Sequence, residues 1–554
     1  MSKTGIGKSV NAPQKVMTVF LGLLAAQFVS SMSNTIIANA MPVIVAQIGG
    51  NAVQYTWVIT AGILANTITT PVIGKLADLF DKKKLFIASL IIFATASLLS
   101  GASQSANQLI ASRVLQGIGM GMMVTLTTVI MATIVSPRER GKYNGYMSAS
   151  MAVSTVAGPL IGGVIVDTLG WRWCFWVTLP LVVVVMFVVG HRLKVPTVHE
   201  GKAHIDFLGI ALIGAAAASL LIWISSEGRD FTIGSLPSLA LIAIFVASTV
   251  LFIFVESRAT EPLIPLYLFR NRTIVLSIVA FIAQGIAMFS MSVFLGQYFQ
   301  YGRSYTPTAS GLMTMPLMLM MMASSTIVGR RTTATGYWKR YVTGGLAAMV
   351  VGLVMFWPVT AQTNLVYIGI AMGIIGAGMG AGNTLLVAVQ NLVGLRIMGA
   401  TTSTVMFFRT LAGALGIQLL GRVYQAHVKN DIVSELGGMP DSGGTGELDF
   451  AALPDPVEAV VRGAYGKELG MVFLVMAGFA LAGLIAVSFV KGTSLRSSID
   501  TAQVRQILEQ EDEIVEGPNI VGTSLDNART ATRKSPSSAD SGSGIGDDDE
   551  SSAS

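Results

Sequence analysis

In "QLIASRVLQGIGMGMMVTLTTVIMA", residues 108–132, Arg113 sits in an apolar run long enough to cross a hydrocarbon core. A guanidinium at that depth costs roughly 3 kcal/mol on insertion scales, so it must face protein or water. Two chemistries fit. Arg113 bonds backbone carbonyls and ties helices together, or it is a fixed positive charge that contacts substrate or tunes a proton carrier. Arg409, in "FFRTLAGALG", either charges a cavity or packs at a helix end. The groups able to exchange a proton lie near the ends of apolar runs: Asp78, Asp167, Asp206, Glu227 and Glu256. Asp167 is the acid best placed to be reached from a central cavity, or it is a loop carboxylate. Asp206 and Glu256 read as structural end caps. Ser33, Asn34, Asn66, Gln116, Gln284 and Asn383 are polar at membrane depth. Such residues orient a ligand in a pocket or bond a neighbouring helix. The methionines of "GLMTMPLMLMMM" suit either an adaptable cavity wall or plain packing.

Enzyme chemistry finds no footing. There is no phosphate loop, no metal-ligand cluster, and no nucleophile–base pairing among His191, His199, His204 and His427. The single Cys174 rules out an intramolecular disulfide and a cysteine-cluster metal site. No cofactor and no metal are expected.

The elements that carry these residues follow from composition. Hydrophobic residues make up 52% of the 554 and charged ones 12%, about half the charge of a soluble domain. Mean hydropathy is +0.66. An all-α polytopic membrane protein is expected, with spans near 16–40, 54–78, 84–103, 107–134, 142–167, 173–191, 206–226, 235–256, 273–299, 309–329, 341–360, 364–389, 398–422 and 469–490. Charge supports these fourteen. With the N-terminus cytoplasmic, the inside loops carry runs such as Lys82, Lys83 and Lys84, while the short outside loops hold only Arg172, Arg229 and Arg303. The positive-inside rule asks for that asymmetry. It places both termini in the cytoplasm, and it accounts for a pI near 9.3 without nucleic acid. Residues 1–15 are polar and lead into a retained first span rather than a cleaved signal. The loop 424–467 is polar and rich in Gly, Pro and Asp, which suggests an outward hairpin or irregular cap. The tail 491–554, ending "DDDESSAS", is acidic and of low complexity and is expected to be disordered.

Three motifs then stand in order. "GKLADLFDKKKL" places Gly74, Asp78, Lys82 and Lys83 at a helix end. There a carboxylate can latch onto the positive N-terminus of another helix. "LIASRVLQGIGMG" carries Arg113 and Gln116. "STVAGPLIGG" carries Gly158, Pro159, Gly162 and Gly163, small residues that let helices approach. Together these resemble the signatures of the major facilitator superfamily, the third being its antiporter motif. "WRWCFWVTLP", "ESRATEPLIPLYLFRNR" and "TIIANAMP" look like segments of its fourteen-span drug:proton antiporters.

The resemblance implies two six-helix bundles, 16–192 and 273–490, with two inserted helices within 193–272. It implies a substrate site at the midplane between the halves. It also implies a plasma-membrane efflux transporter, monomeric, exporting amphipathic compounds in exchange for protons, with Arg113 and Asp167 in proton coupling. Two departures matter. Leu79 and Asp81 stand where arginine and glycine are preferred. Ser33 stands where many of these antiporters carry a first-helix acid. Losing that acid makes neutral or anionic amphiphiles, bile-acid-like for example, more plausible substrates. Two alternatives stay open: a dedicated exporter of one metabolite or antibiotic, and a membrane sensor that does not transport.

Overall fold

The computed structural model describes residues 13–49, 52–137, 139–193, 206–226, 232, 234–259, 261–394, 397–436, 454–492 and 494–495. Some side chains within its helices, Pro159 and Asp167 among them, fall outside that description. Glu227 and the expected tail beyond Leu495 also fall outside it.

Every regular element among the described residues is helical. The first half runs α1 (Pro13–Gln47), α2 (Ala52–Leu79), α3 (Lys82–Ala102), α4 (Ala106–Ile134) and α5 (Arg140–Thr168). One turn, α6 (Trp173–Trp176), leads into α7 (Leu179–Arg192). The pair α8 (Phe207–Ser226) and α9 (Leu236–Glu256) follows. The second half holds α10 (Arg272–Gln297), α11 (Pro307–Met313), α12 (Met315–Thr335), α13 (Lys339–Met355), α14 (Leu365–Gly382) and α15 (Thr384–Asn391). It closes with α16 (Met398–Leu436), α17 (Asp455–Lys467) and α18 (Leu469–Ser488).

Local chemistry sets the ends. Asp81 Oδ1 accepts from the backbone of Lys83 at 2.8 Å and starts α3, so the departure at Asp81 is a helix N-cap. Asn271 and Asn364 cap α10 and α14 in the same way. Gly336, at φ +75°, stops α12 in the left-handed conformation that glycine adopts without strain.

Among the described residues, twelve helical stretches are long and apolar enough to cross a membrane. The other two of the fourteen expected are helical as well. α13 has only 17 residues. α5, with 29 residues, is long enough, and several of its side chains fall outside the description. Within the first half, α2 packs on α4, α3 on α4 and α1 on α5. Within the second, α12 and α13 pack on α14, and α10 on α16 and α18. Two seams join the halves, α5 against α12 and α2 against α16. The hairpin α8–α9 leans on α2 and α16.

The loop 424–467 differs from expectation. Its first part prolongs α16 to Leu436 and its last part forms α17. Val428 and Ile432, one turn apart, are buried with Val461 and Ala464. Tyr424 donates to the Tyr465 carbonyl at 2.6 Å, and Lys467 pairs with Asp431 at 2.7 Å. Polarity masked a short amphipathic repeat. Residues 437–453 fall outside the description.

Candidate functional site

A cavity of about 260 Å³ opens between the two halves. From the first half Asn34, Asn66, Thr70 and Asn144 line it. From the second come Phe281, Met288, Phe289, Met321, Asn383 and Arg409. Asn383 Nδ2 donates to Ser148 Oγ at 3.4 Å, bridging the halves across the cavity. Arg409 is the one charged residue along the wall, and no carboxylate joins it among the described lining residues. Its Nη2 lies 3.0 Å from Met288 Sδ, and its guanidinium lies 5.9 Å from the Phe281 ring centre. Such soft partners leave the charge available to a ligand.

Of the polar and charged residues singled out from the sequence, Asn34, Asn66, Asn383 and Arg409 line this cavity. Ser33, Gln116 and Gln284 do not. All three are buried behind the wall, and their polarity is used between helices. Gln116 Nε2 donates to Ser33 Oγ at 3.3 Å and to Ser97 Oγ at 3.0 Å. Gln284 Nε2 donates to the Met379 carbonyl at 3.0 Å. Of the α12 methionines only Met321 reaches the cavity. Met147, Met151, Met288 and Met406, on other helices, complete its sulfur lining. Their sequence neighbourhoods carry no signal that separates them from core methionines.

Arg113 does not line the cavity either. It is buried, its Nε donating to the Val58 carbonyl at 3.3 Å and its Nη1 to Gln116 Oε1 at 2.6 Å. Through Gln116 it links α1, α2, α3 and α4. Gly62 leaves room for the guanidinium, since a Cβ there would lie 3.1 Å from Nη2. Among the described residues no carboxylate pairs with it. Asp167 falls in the last turn of α5, and its side chain is outside the description.

Below the cavity lies the end of the molecule that bears Lys82–Lys84, termed here the basic end. Asp78 reaches across to the first turn of α16. Its Oδ1 accepts from Gly399 N at 2.8 Å and its Oδ2 from Ala400 N at 2.7 Å. A carboxylate on two free N–H groups at a helix start is favoured by both hydrogen bonding and the helix dipole. Gly74 makes this reach possible. A Cβ there would lie 2.0 Å from Ser403 Oγ and 2.8 Å from the Gly399 carbonyl. Lys82 is buried in the field of Asp78 and Asp81. The backbone of Lys83 is held by Asp81. Lys75, one turn before Asp78, pairs with Glu261.

The second seam closes the same end. Gly141 and Gly329 touch backbone to backbone, and Ser148 Oγ donates to Ser325 Oγ at 3.3 Å. Arg140, readable in the sequence only as a loop charge, is buried there and donates to Val135 O at 2.9 Å and Gln390 Oε1 at 3.2 Å. At the opposite end α11 lies against α5.

The "AGPLIGG" stretch packs inside the first half. A Cβ on Gly158 would meet Thr35 Oγ1 at 2.0 Å, and one on Gly162 would meet Ile36 at 3.3 Å. Thr35 Oγ1 donates to the Ser154 carbonyl at 3.1 Å. Among the described residues nothing lies within 4 Å of a Cβ on Gly163, so no close approach there calls for a glycine. Gly158→Leu forces α1 and α5 apart, and overpacking of this kind costs about 1–3 kcal/mol. Transport by that variant is expected to be lost, while Gly163→Ala transports normally. Substrate flux at matched membrane abundance checks both.

Two helical halves that cross a membrane and enclose a cavity at their seam make a transporter. Neither fold nor relatives are those of an enzyme. The sequence profile of the Major Facilitator Superfamily matches residues 23–417, and the chain belongs to that family. It is 31% identical over 529 residues to the multidrug transporter protein MdtP of Bacillus subtilis (strain 168), a match spanning 90% of this chain and 97% of that protein. It is 30% identical to multidrug resistance protein 3 of the same organism, over 79% of this chain and 85% of that one. Among solved structures, the human organic anion transporter MFSD10 (TETRAN) superposes with a TM-score of 0.55 at 17% identity, over 86% of this chain and all of that one. That likeness concerns the fold.

Proposed function

We propose that the chain exports amphipathic toxic compounds across the plasma membrane in exchange for protons, with neutral or anionic amphiphiles as its preferred substrates. The basic end, with both termini, is cytoplasmic in this reading, and the unit is a monomer. The names of the relatives at about 30% identity support efflux. The observation that carries the charge preference is the cavity wall, where Arg409 is the sole charge among the described lining residues. Apolar faces of Phe281, Phe289 and the methionines would take the body of an amphiphile, and Arg409 its anionic head. The sealed basic end suits a cavity turned away from the cytoplasm. No acid lines the described wall, so the proton is carried elsewhere. Asp167 is the proposed carrier, with Arg113 as a fixed charge in the same half.

Everted vesicles under an imposed proton gradient test the reading. An anionic amphiphile is expected to discharge the gradient faster than a lipophilic cation of similar size. Arg409→Ala is expected to lose roughly tenfold of that preference, the worth of one partly desolvated charge contact. A gradient indifferent to both compounds refutes proton exchange for them. A faster discharge by the cation refutes the charge preference.

A further inference from the structure

The inserted helices hold a group that the cavity does not use. At the basic end of the α8–α9 hairpin, Asp206 and Glu256 face each other. Asp206 Oδ1 accepts from Gly209 N at 2.8 Å and starts α8. Glu256 is 3% exposed, and its Oε1 accepts from the backbone of Ile264. The other oxygens, Asp206 Oδ2 and Glu256 Oε2, are both buried and meet no donor. They converge on one point: a Cβ on Gly209 would lie 2.3 Å from the first and 3.2 Å from the second. The two carboxyls therefore approach each other over the same glycine. Two carboxylates are acceptors only, so this contact is satisfied when one carries a proton and donates to the other.

Among the described residues no cation replaces that proton. Apolar Ile213, Phe252, Leu263, Ile264 and Phe407 cluster in this region. On α2, Lys75 is held by Glu261 and Asp78 by the start of α16. Arg409 on α16 lies against Met288 and Phe281, and Arg258 lies over the Phe254 ring, 4.1 Å from its centre. Like charges close together in an apolar site repel, and one shared proton removes that repulsion.

We propose that Asp206 and Glu256 form a proton-binding site, and that its occupancy sets how firmly the inserted hairpin holds α2 in the closed seam. The connection is short. Glu256 fixes Ile264, and Glu261, three residues before Ile264, grips Lys75 one turn from Asp78. With the proton shared, the hairpin and its following loop are braced and the latch is backed. When the proton leaves, two charges repel in an apolar pocket. The hairpin ends then part, the grip on Lys75 slackens, and the basic end opens more readily.

The site can be read without substrate, so it stands or falls apart from the transport reading. Infrared spectra of the full-length protein in lipid nanodiscs, from about pH 5 to about pH 9, cover the range documented for buried carboxyls. A carboxylic-acid C=O band that disappears at high pH is expected. Glu256→Gln, which keeps shape and a donor, is expected to remove it, and Asp206→Asn to do the same. A band unchanged in both variants overturns the proton site. Spin labels at Lys84→Cys and Arg331→Cys in a Cys174→Ser background report the basic end. Their separation is expected to lengthen as the band vanishes, and to stay short at every pH in Glu256→Gln. A pH response that survives Glu256→Gln overturns the coupling to the latch.

Discussion

Asp78→Asn is expected to lower transport by roughly tenfold or more at unchanged membrane abundance, and to widen the basic end at rest. The carboxylate accepts two N–H groups from the start of α16, at 2.8 and 2.7 Å. Hydrogen bonds to a charged group contribute about 1.5–3 kcal/mol each. Asparagine keeps one acceptor and turns an amide N–H toward the second donor, so one bond is lost and one contact becomes repulsive. The helix-dipole term, about 0.3–1 kcal/mol, goes with the charge. A loss of about 3 kcal/mol shifts an equilibrium by roughly a hundredfold. A carrier that alternates between two states cannot absorb that shift without slowing. Each half keeps its own internal packing, so the fold survives. Flux and spin-label separation across the basic end measure the two effects. Normal flux with a wild-type separation would remove Asp78 from the gating contact.

Arg113→Ala is expected to abolish transport, and here the conservative variant decides the reason. Alanine leaves Gln116 Oε1 without its donor in a place that water reaches poorly, and the Val58 carbonyl keeps only its bond within α2. Each unsatisfied buried group costs about 1–3 kcal/mol. Gln116 is then free to turn, and the joint between α1, α3 and α4 at Ser33 and Ser97 loosens. Arg113→Lys keeps the charge and loses the planar fork. If the fixed charge governs proton coupling, the lysine variant retains a tenth or more of the flux. Equal failure of both variants, with an equal fall in melting temperature, would make Arg113 a strut and end its coupling role.

The Asp78 contact and the helices, twelve stretches of which among the described residues are long and apolar enough to cross a membrane, were legible because each follows from a local rule. Apolar length implies a helix across the bilayer, and an acid at a helix end after a glycine implies a contact between halves. The cavity was half legible for a physical reason. Asn34 and Asn66 line it and Ser33 and Gln116 do not. These residues share helices and polarity, and what separates them is which face of the helix turns inward. In lipid that choice leaves little trace, because the outer face is apolar and the inner one mostly so too. Arg140 and the pair Asp206–Glu256 were hidden differently. Each sits at a helix end, where a charge needs no explanation, and only their burial sets them apart. The outer helix α17 was lost behind a run of polar residues whose apolar positions come one turn apart.

Helix α16 begins at the Asp78 latch, passes Arg409 in the cavity wall, and continues without a break to Leu436, beside α17. Its 39 residues make a rod about 58 Å long, nearly twice the hydrocarbon thickness of about 30 Å. A rod of that length is a lever. Tilting it by about 5° at the latch swings its far tip by about 5 Å, in proportion to a length set by the helical rise. The contact at one end of the rod and the cap at the other therefore move together, with Arg409 partway between them. Clamping the far tip from outside would stall the gate on the opposite face without anything entering the cavity.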